Sequence, residues 1–261
     1  MCTVTVIHAG QREARIAQTP LLRLVCNRDE SRTRPLAEGV VRRRLGSRVA
    51  IMPTDPQSGG TWGGANDAGL VACLLNANPP GVLSAATGGT ARESRGTIIP
   101  ALLAATDPAE ARVIAGAVDA SRFPPFRALV LDAETFFIAS SDGVSLRLAE
   151  TRPIRGPIFL ASSGLGDRQV QLPRRLLFDE FLNESRDPFD AQRRFHEHRW
   201  PDRPHLSVLM NRADARTVSR TVVELFPDAA SLSYAALSER PTADAPAVRA
   251  ELPLLRPQVF A

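Results

Sequence analysis

The second residue of the chain is a cysteine, in MCTVTVIH, and the next apolar run, LLRLVC, leads directly into Asn27-Arg28-Asp29-Glu30. A thiol at this position has a particular chemical opportunity. Removal of an initiator methionine ahead of a small residue would leave a free α-amine on the same residue as the thiol. Such an amine titrates near ~7.7 and can accept a proton at neutral pH, so Cys2 would supply both nucleophile and base. The plainer interpretation of the same residues is that Cys2 begins an edge strand. The NRDE segment would then be a charged strand end with an internal Arg–carboxylate pair, as is common on protein surfaces.

The remaining residues offer little competing chemistry. Cys2, Cys26 and Cys73 form no Cys-x-x-Cys pair, and their odd number argues against a disulfide framework. Cys26 and Cys73 each lie inside an apolar run, where free cysteines behave as small core residues. His196 and His198 are two apart and do not share a helix face, so no metal site and no cofactor is expected. The formal charge is +4, yet every one of the 32 basic residues is Arg, which reads as a compositional bias. The densest basic stretch, VVRRRLGSR, is read as a solvated strand or turn. With one Tyr and two Trp in the chain, base-stacking platforms are hard to build and nucleic-acid binding is not expected. No apolar run approaches the ~20 residues of a membrane-spanning helix, and no secretion signal is apparent. A cytoplasmic protein is the expectation, and homo-oligomer formation is compatible with the sequence.

The elements that must position Cys2 and NRDE are mostly strands in the first third. Residues 2 to 8 alternate with β-branched residues, and 21 to 26, 48 to 52 and 69 to 75 are apolar runs of strand length. Between the last two, SGGTWGGANDAG has the glycines and Asn-Asp of tight turns, with Gly59, Gly60 and Trp62 in turn and packing roles. Two helices are predicted between Thr97 and Ala120, the second capped by Asp107 with Pro108 at its first position. RALVLD, TFFIASSD, VSLRLAE and PIFLASS read as strands, and LPRRLLFDEFL and PFDAQRRFHEHRW as amphipathic helices. HLSVLM, RTVSRTVVEL and SLSYAAL are predicted to close the chain as strands. Helices set between blocks of mostly antiparallel strands predict an α+β layered domain, and with no linker or repeat, residues 1–261 are expected to form one domain.

The ordered set MCT, CNRDE, GGTWGGANDAGLVACLLN and the later ADARTVS resembles the NRDE family, also called the Transport and Golgi organisation family, in its bacterial members. The matching elements run from Cys2 to about Ser219. The resemblance implies an N-terminal-nucleophile hydrolase-like fold, four layers αββα with two stacked antiparallel sheets. More distantly the chain is similar to the choloylglycine hydrolase and penicillin V acylase group, amidases that begin with Cys and carry Arg-Asn-x-Asp on the next strand. In that group a strand-end Asn after an MNEKGL-type turn helps form an oxyanion hole. The same pattern puts Asn66 in the turn and Asn76 at the strand end. An amide N–H₂ aimed at the oxyanion stabilises its charge without a proton transfer, and Asn76 is the candidate donor.

Arg28 can lower the thiol pKa or hold a substrate carboxylate as a fork, and Asp29 or Glu30 can orient the α-ammonium. Asn27, Glu30, Asn66 and Ser163 are candidate substrate-binding residues.

Three departures accompany the resemblance. The order Asn-Arg-Asp-Glu leaves open which carboxylate faces Cys2, because one residue on a strand changes the face. The second oxyanion Asn of the hydrolases corresponds here to Ser162 or Ser163, whose hydroxyl donates with shorter reach. The Arg that closes the hydrolase site matches Arg216, with Arg220 as runner-up. Two classes of function follow. One is an N-terminal cysteine hydrolase of a C–N amide or thioester bond in a small acyl compound. The other is a non-catalytic carrier or chaperone for haem or acyl-CoA-like ligands, a role the eukaryotic members imply.

Overall fold

A computed structural model describes residues 2–9, 19–37, 39–78, 92–238 and 246–255. Two antiparallel sheets stack face to face. The first has six strands in the order β11-β1-β2-β12-β13-β14, comprising Ile158–Ala161, Cys2–His8, Leu22–Ser31, Ala215–Leu225, Ala229–Ala236 and Val248–Pro253. The second has eight: β10 (Arg152–Pro153), β8 (Thr135–Ser141), β7 (Phe126–Leu131), β6 (Val71–Asn76), β5 (Gly63–Asn66), β4 (Arg48–Pro53) and β3 (Val40–Leu45), with β9 (Leu146–Leu148) paired to β8. Helices α1 (Ile98–Leu102) and α2 (Pro108–Gly116) pack on the second sheet through Ile99, Leu102, Leu103 and Ala111 against Ala72, Ala128 and Val130. Helices α3 (Asp167–Glu184) and α4 (Pro188–Glu197) cover the first sheet, with Phe178 and Phe195 packed near Ile7 and Phe159. This is the four-layer αββα arrangement of the α+β class.

Period-two alternation sorts the side chains of the first sheet. On β1, Cys2, Val4 and Val6 enter the core between the sheets, together with Leu22, Leu24 and Cys26 of β2 and Val71, Cys73 and Leu75 of β6. Thr3 and Thr5 turn the other way, toward the helices. There Thr3 accepts from Arg174 at 2.6 Å, and the Thr5 hydroxyl sits 2.8 Å from His196 Nε2. The capping prediction for α2 holds: Asp107 accepts from the Glu110 amide at 2.9 Å with Pro108 following.

Three expectations are corrected. The NRDE segment does not end a strand but continues β2 to Ser31, because β1 pairs it on one side through Cys2↔Arg28 and β12 on the other through Thr217↔Asp29. With backbone groups satisfied on both sides, the polar residues need only side-chain partners. HLSVLM forms turns rather than a strand. In place of ladder pairing, Arg174 donates to the Leu206 and Ser207 carbonyls, and Asn27 donates to the Val208 carbonyl. Part of the glycine-rich turn, Gly63–Asn66, is strand β5, fully buried between β4 and β6.

His196 gives this layer a pH dependence. Its ring is fully buried, and burial first, then the charges of Arg220 and Arg174, hold its pKa well below the ordinary histidine range. The unfolded chain takes up a proton near pH ~6.5 that the folded chain refuses, so this stability is present above that pH and lost as pH falls. Between pH 7 and pH 5 the wild type should lose about 2 kcal/mol more than His196→Gln in urea unfolding. Equal losses would show that His196 is not the group responsible.

Candidate functional site

Where the first sheet's β1 and β2 face the loops of the second, a cavity of about 340 Å³ opens, lined by Cys2, Arg28, Glu30, Arg34, Asp55, Trp62, Asn76 and Arg95 among others. Cys2 is buried, and its backbone is fixed in both directions by one residue. Its N–H donates to Ser162 Oγ at 3.0 Å, and its carbonyl accepts from the Ser162 amide at 2.9 Å. The register explains this choice. Thr3 pairs with Ala161 across β1 and β11, so the next residue along, Ser162, lies beside Cys2. A hydrogen bond with Cys26, then burial, raises the Cys2 thiol pKa well above the usual range, so the thiol is protonated at neutral pH.

Strand parity divides the NRDE segment. Arg28 and Glu30 share the cavity with Cys2. Asn27 lies on the helix side, where its Nδ2 donates to the His196 carbonyl at 2.9 Å. Asp29 also meets the helix-side groups: Thr217 donates to Asp29 Oδ1 at 2.6 Å, and Arg174 Nη1 lies 4.0 Å from Oδ2. Burial raises the Asp29 pKa, with Arg174 and Thr217 acting in the opposite direction. A bulge in β12 between Thr217 and Ser219 sets these contacts, since both residues oppose consecutive positions of β2.

Arg28 is held from three directions. Its Nη2 donates to Asp55 Oδ2 at 2.9 Å and lies 3.4 Å from Glu30, and its guanidinium sits 4.5 Å from the centroid of the Trp62 ring. Asp55 is nearly inaccessible. It also accepts from Arg34 at 2.8 Å, and its other oxygen accepts from the Gln57 amide at 3.0 Å. Charge-assisted bonds of this kind are about twice as strong as neutral ones, and the shared carboxylate fixes both arginines.

Several candidate residues stand elsewhere. Asn66 is consumed by structure: its Nδ2 donates to the Leu103 and Ala105 carbonyls, and its Oδ1 accepts from the Ala68 and Leu70 amides. Ser163 accepts from the Leu165 amide, while its own amide donates to Asp167. Arg216 lies outside the cavity and donates to the Leu237 and Thr217 carbonyls, and Arg220 pairs with Glu197 at 2.9 Å. Arg92 to Gly96 form part of the cavity wall; residues 79–91 lie outside the described residues, as does Met1.

Sequence reasoning missed Asp55, Trp62 and Arg95. Trp62 does more than the turn and packing role its sequence context suggests: it donates to Thr221 Oγ1 at 3.0 Å and forms the face against Arg28. Arg95 is delivered by a close backbone approach. A Cβ on Gly60 would meet the Gly96 carbonyl carbon at 2.6 Å, and the Thr61 amide donates to the Gly96 carbonyl at 3.0 Å. Only glycine at position 60 permits this contact. The paired glycines are its one sequence signal.

The profile described as Transport and Golgi organisation 2 matches residues 1–198. No curated protein sequence matches the chain. Among solved structures, the Caenorhabditis elegans N-acylethanolamine-hydrolyzing acid amidase ortholog is similar at TM-score 0.51 and 14% identity, over 85% of this chain and 92% of that one. The C2A mutant of the conjugated bile acid hydrolase from Clostridium perfringens reaches TM-score 0.49 at 12% identity, over 89% of this chain and 88% of that one. At such identities the likeness to the amidase ortholog is one of fold.

Proposed function

This chain belongs to the Transport and Golgi organisation 2 family, and on that premise we propose that it is an N-terminal cysteine hydrolase cleaving an amide or thioester bond of a small acyl compound. The observation that carries the reading is the placement of Cys2 in the wall of a cavity that also presents Arg28 and Asn76. The amide hydrolysis named for the amidase ortholog is chemistry of this class.

In the proposed reaction Met1 is removed, and the freed α-amine of Cys2, positioned by Ser162 Oγ, takes the thiol proton. This step is required because the thiol is held neutral. The thiolate sulfur bonds to the substrate carbonyl carbon, and Asn76 Nδ2 donates to the oxyanion that forms. The α-ammonium returns the proton to the leaving amine or thiol as that bond breaks, leaving an acyl thioester on Cys2. Water, deprotonated by the same amine, releases the acid and restores the thiol. Arg28, fixed by Asp55 and Trp62, supplies a stationary positive charge near the nucleophile. Asp29, Glu30 and Arg216 are assigned no proton in this sequence.

The runner-up is a non-catalytic carrier for haem or acyl-CoA-like ligands, and the strongly raised Cys2 pKa favours it, since a neutral thiol is a poor nucleophile. Intact-mass spectrometry after incubation with a panel of acyl amides and thioesters separates the two. The hydrolase reading expects one acyl adduct, located on residue 2 and released with time. Tight ligand binding with no adduct and no product from any donor would favour the carrier.

A further inference from the structure

The charges of the cavity do not balance internally. Four arginines, Arg28, Arg34, Arg92 and Arg95, meet three carboxylates, Glu30, Asp55 and Glu93. Each carboxylate is already engaged. Asp55 accepts from Arg28 and Arg34, Glu30 lies 3.4 Å from Arg28 and 3.8 Å from Arg34, and Glu93 pairs with Arg122 outside the cavity. Arg92 is on the exposed rim, with Nη1 at 3.4 Å from the Phe123 carbonyl.

Arg95 is different. It is half-buried in the cavity wall, its Nη1 donates to the Pro125 carbonyl at 2.9 Å, and no carboxylate among the described residues lies within ion-pair distance. Residues 79–91, which lead into it, contain no Asp or Glu. Burial lowers the pKa of this guanidinium, with the proximity of Cys2 and Glu30 acting in the opposite direction, and Arg95 shares the cavity wall with Cys2. A half-buried cation without a counter-ion is costly unless an anion completes it.

We propose that Arg95 is the anion-binding residue of this cavity and that the substrate is an acyl compound bearing a carboxylate. The proposal rests on the hydrolase reading for the location of the reacting carbonyl at Cys2. A carboxylate fits better than a phosphate dianion, because of the two cavity guanidiniums with no ion-pair partner among the described residues only Arg95 is half-buried in the wall, Arg92 lying on the exposed rim, and a planar fork matches a planar monoanion. The Gly60–Gly96 approach fixes the backbone that carries Arg95, and the Pro125 carbonyl holds one nitrogen of its guanidinium at 2.9 Å.

The test compares matched donors that differ by one charge: butyryl-glycine against butyryl-glycinamide, and succinyl-4-nitroanilide against butyryl-4-nitroanilide. The ratio of kcat/KM within a pair is read for wild type, Arg95→Gln and Arg95→Lys. In parallel, calorimetric binding of the same compounds is measured on the Cys2→Ala protein with and without Arg95→Gln. The wild type should prefer the anionic member of at least one pair by about 10-fold or more, the size expected of one charge-assisted contact. Arg95→Gln should bring that ratio to about one, and Arg95→Lys should retain part of it. No preference in either pair, or a preference that survives Arg95→Gln, would overturn the proposal. Arg95-dependent binding of the anionic member to the Cys2→Ala protein, with no wild-type turnover of any donor, would sink the hydrolase reading while sustaining the subsite.

Discussion

Replacing Arg174 with methionine is expected to cost the fold about 3–5 kcal/mol, the range for removing one partner from a buried charge network. Arg174 is the largest fully buried side chain of the described residues, and all three of its nitrogens are engaged. Nε donates to the Leu206 carbonyl at 2.9 Å, Nη2 to the Ser207 carbonyl at 2.7 Å and Nη1 to Thr3 Oγ1 at 2.6 Å, with Asp29 at 4.0 Å. A methionine of similar length fills much of the volume but leaves two carbonyls without that donor and Asp29 without the guanidinium 4.0 Å away. These bonds help to hold the turn segment that carries Leu206 and Ser207, together with the Trp200 amide on Ser207 Oγ and Asn27 on the Val208 carbonyl. Urea unfolding gives the measurement. Asp29→Asn keeps an oxygen acceptor for Thr217 and removes the buried charge. It should therefore cost less alone and recover part of the loss when combined with Arg174→Met. An Arg174→Met midpoint equivalent to less than about 1 kcal/mol would mean that the network contributes little to stability.

The same contacts explain what the sequence could and could not tell. The alternation of β1 is visible in CTVTVIH, and continuing the count from the apolar Cys26 puts Arg28 and Glu30 on one face of β2 and Asn27 and Asp29 on the other. The parity was present in the sequence. The extent of the strand was not, because polar residues in a central strand depend on partners from far away, such as Asp55, Thr217 and His196. The choice between Ser162 and Ser163 turned on one residue of register between β1 and β11, which no local pattern encodes. HLSVLM has the length and apolarity of a strand, yet it is held as turns by Arg174 and Asn27. Arg95 reaches the cavity only because two glycine backbones far apart in sequence touch. Local periodicity therefore positioned Cys2, whereas most of the charges around it were placed by tertiary contacts.

The largest effect on function is expected at Cys2. Cys2→Ala should lower turnover by about 10⁴-fold or more, since it removes the proposed nucleophile and leaves only binding and oxyanion contacts. Ligand affinity should change little, because Arg28 remains pinned to Asp55 and Trp62 independently of the thiol. The role of the amine is tested separately by a chain carrying one uncleaved residue ahead of Cys2. There the nitrogen is an amide, which cannot accept the thiol proton, and the thiol remains neutral under the influence of Cys26 and burial. That chain should lose about 10²- to 10⁴-fold in kcat/KM, the usual worth of a positioned general base. On the proposed mechanism, kcat/KM of the chain beginning at Cys2 should rise with pH through the α-amine pKa near ~7.7, because only the unprotonated amine accepts a proton. The extended chain should lack that rise. Equal activity of extended and mature chains would refute self-activation by the Cys2 amine, and turnover that survives Cys2→Ala would refute the nucleophile itself.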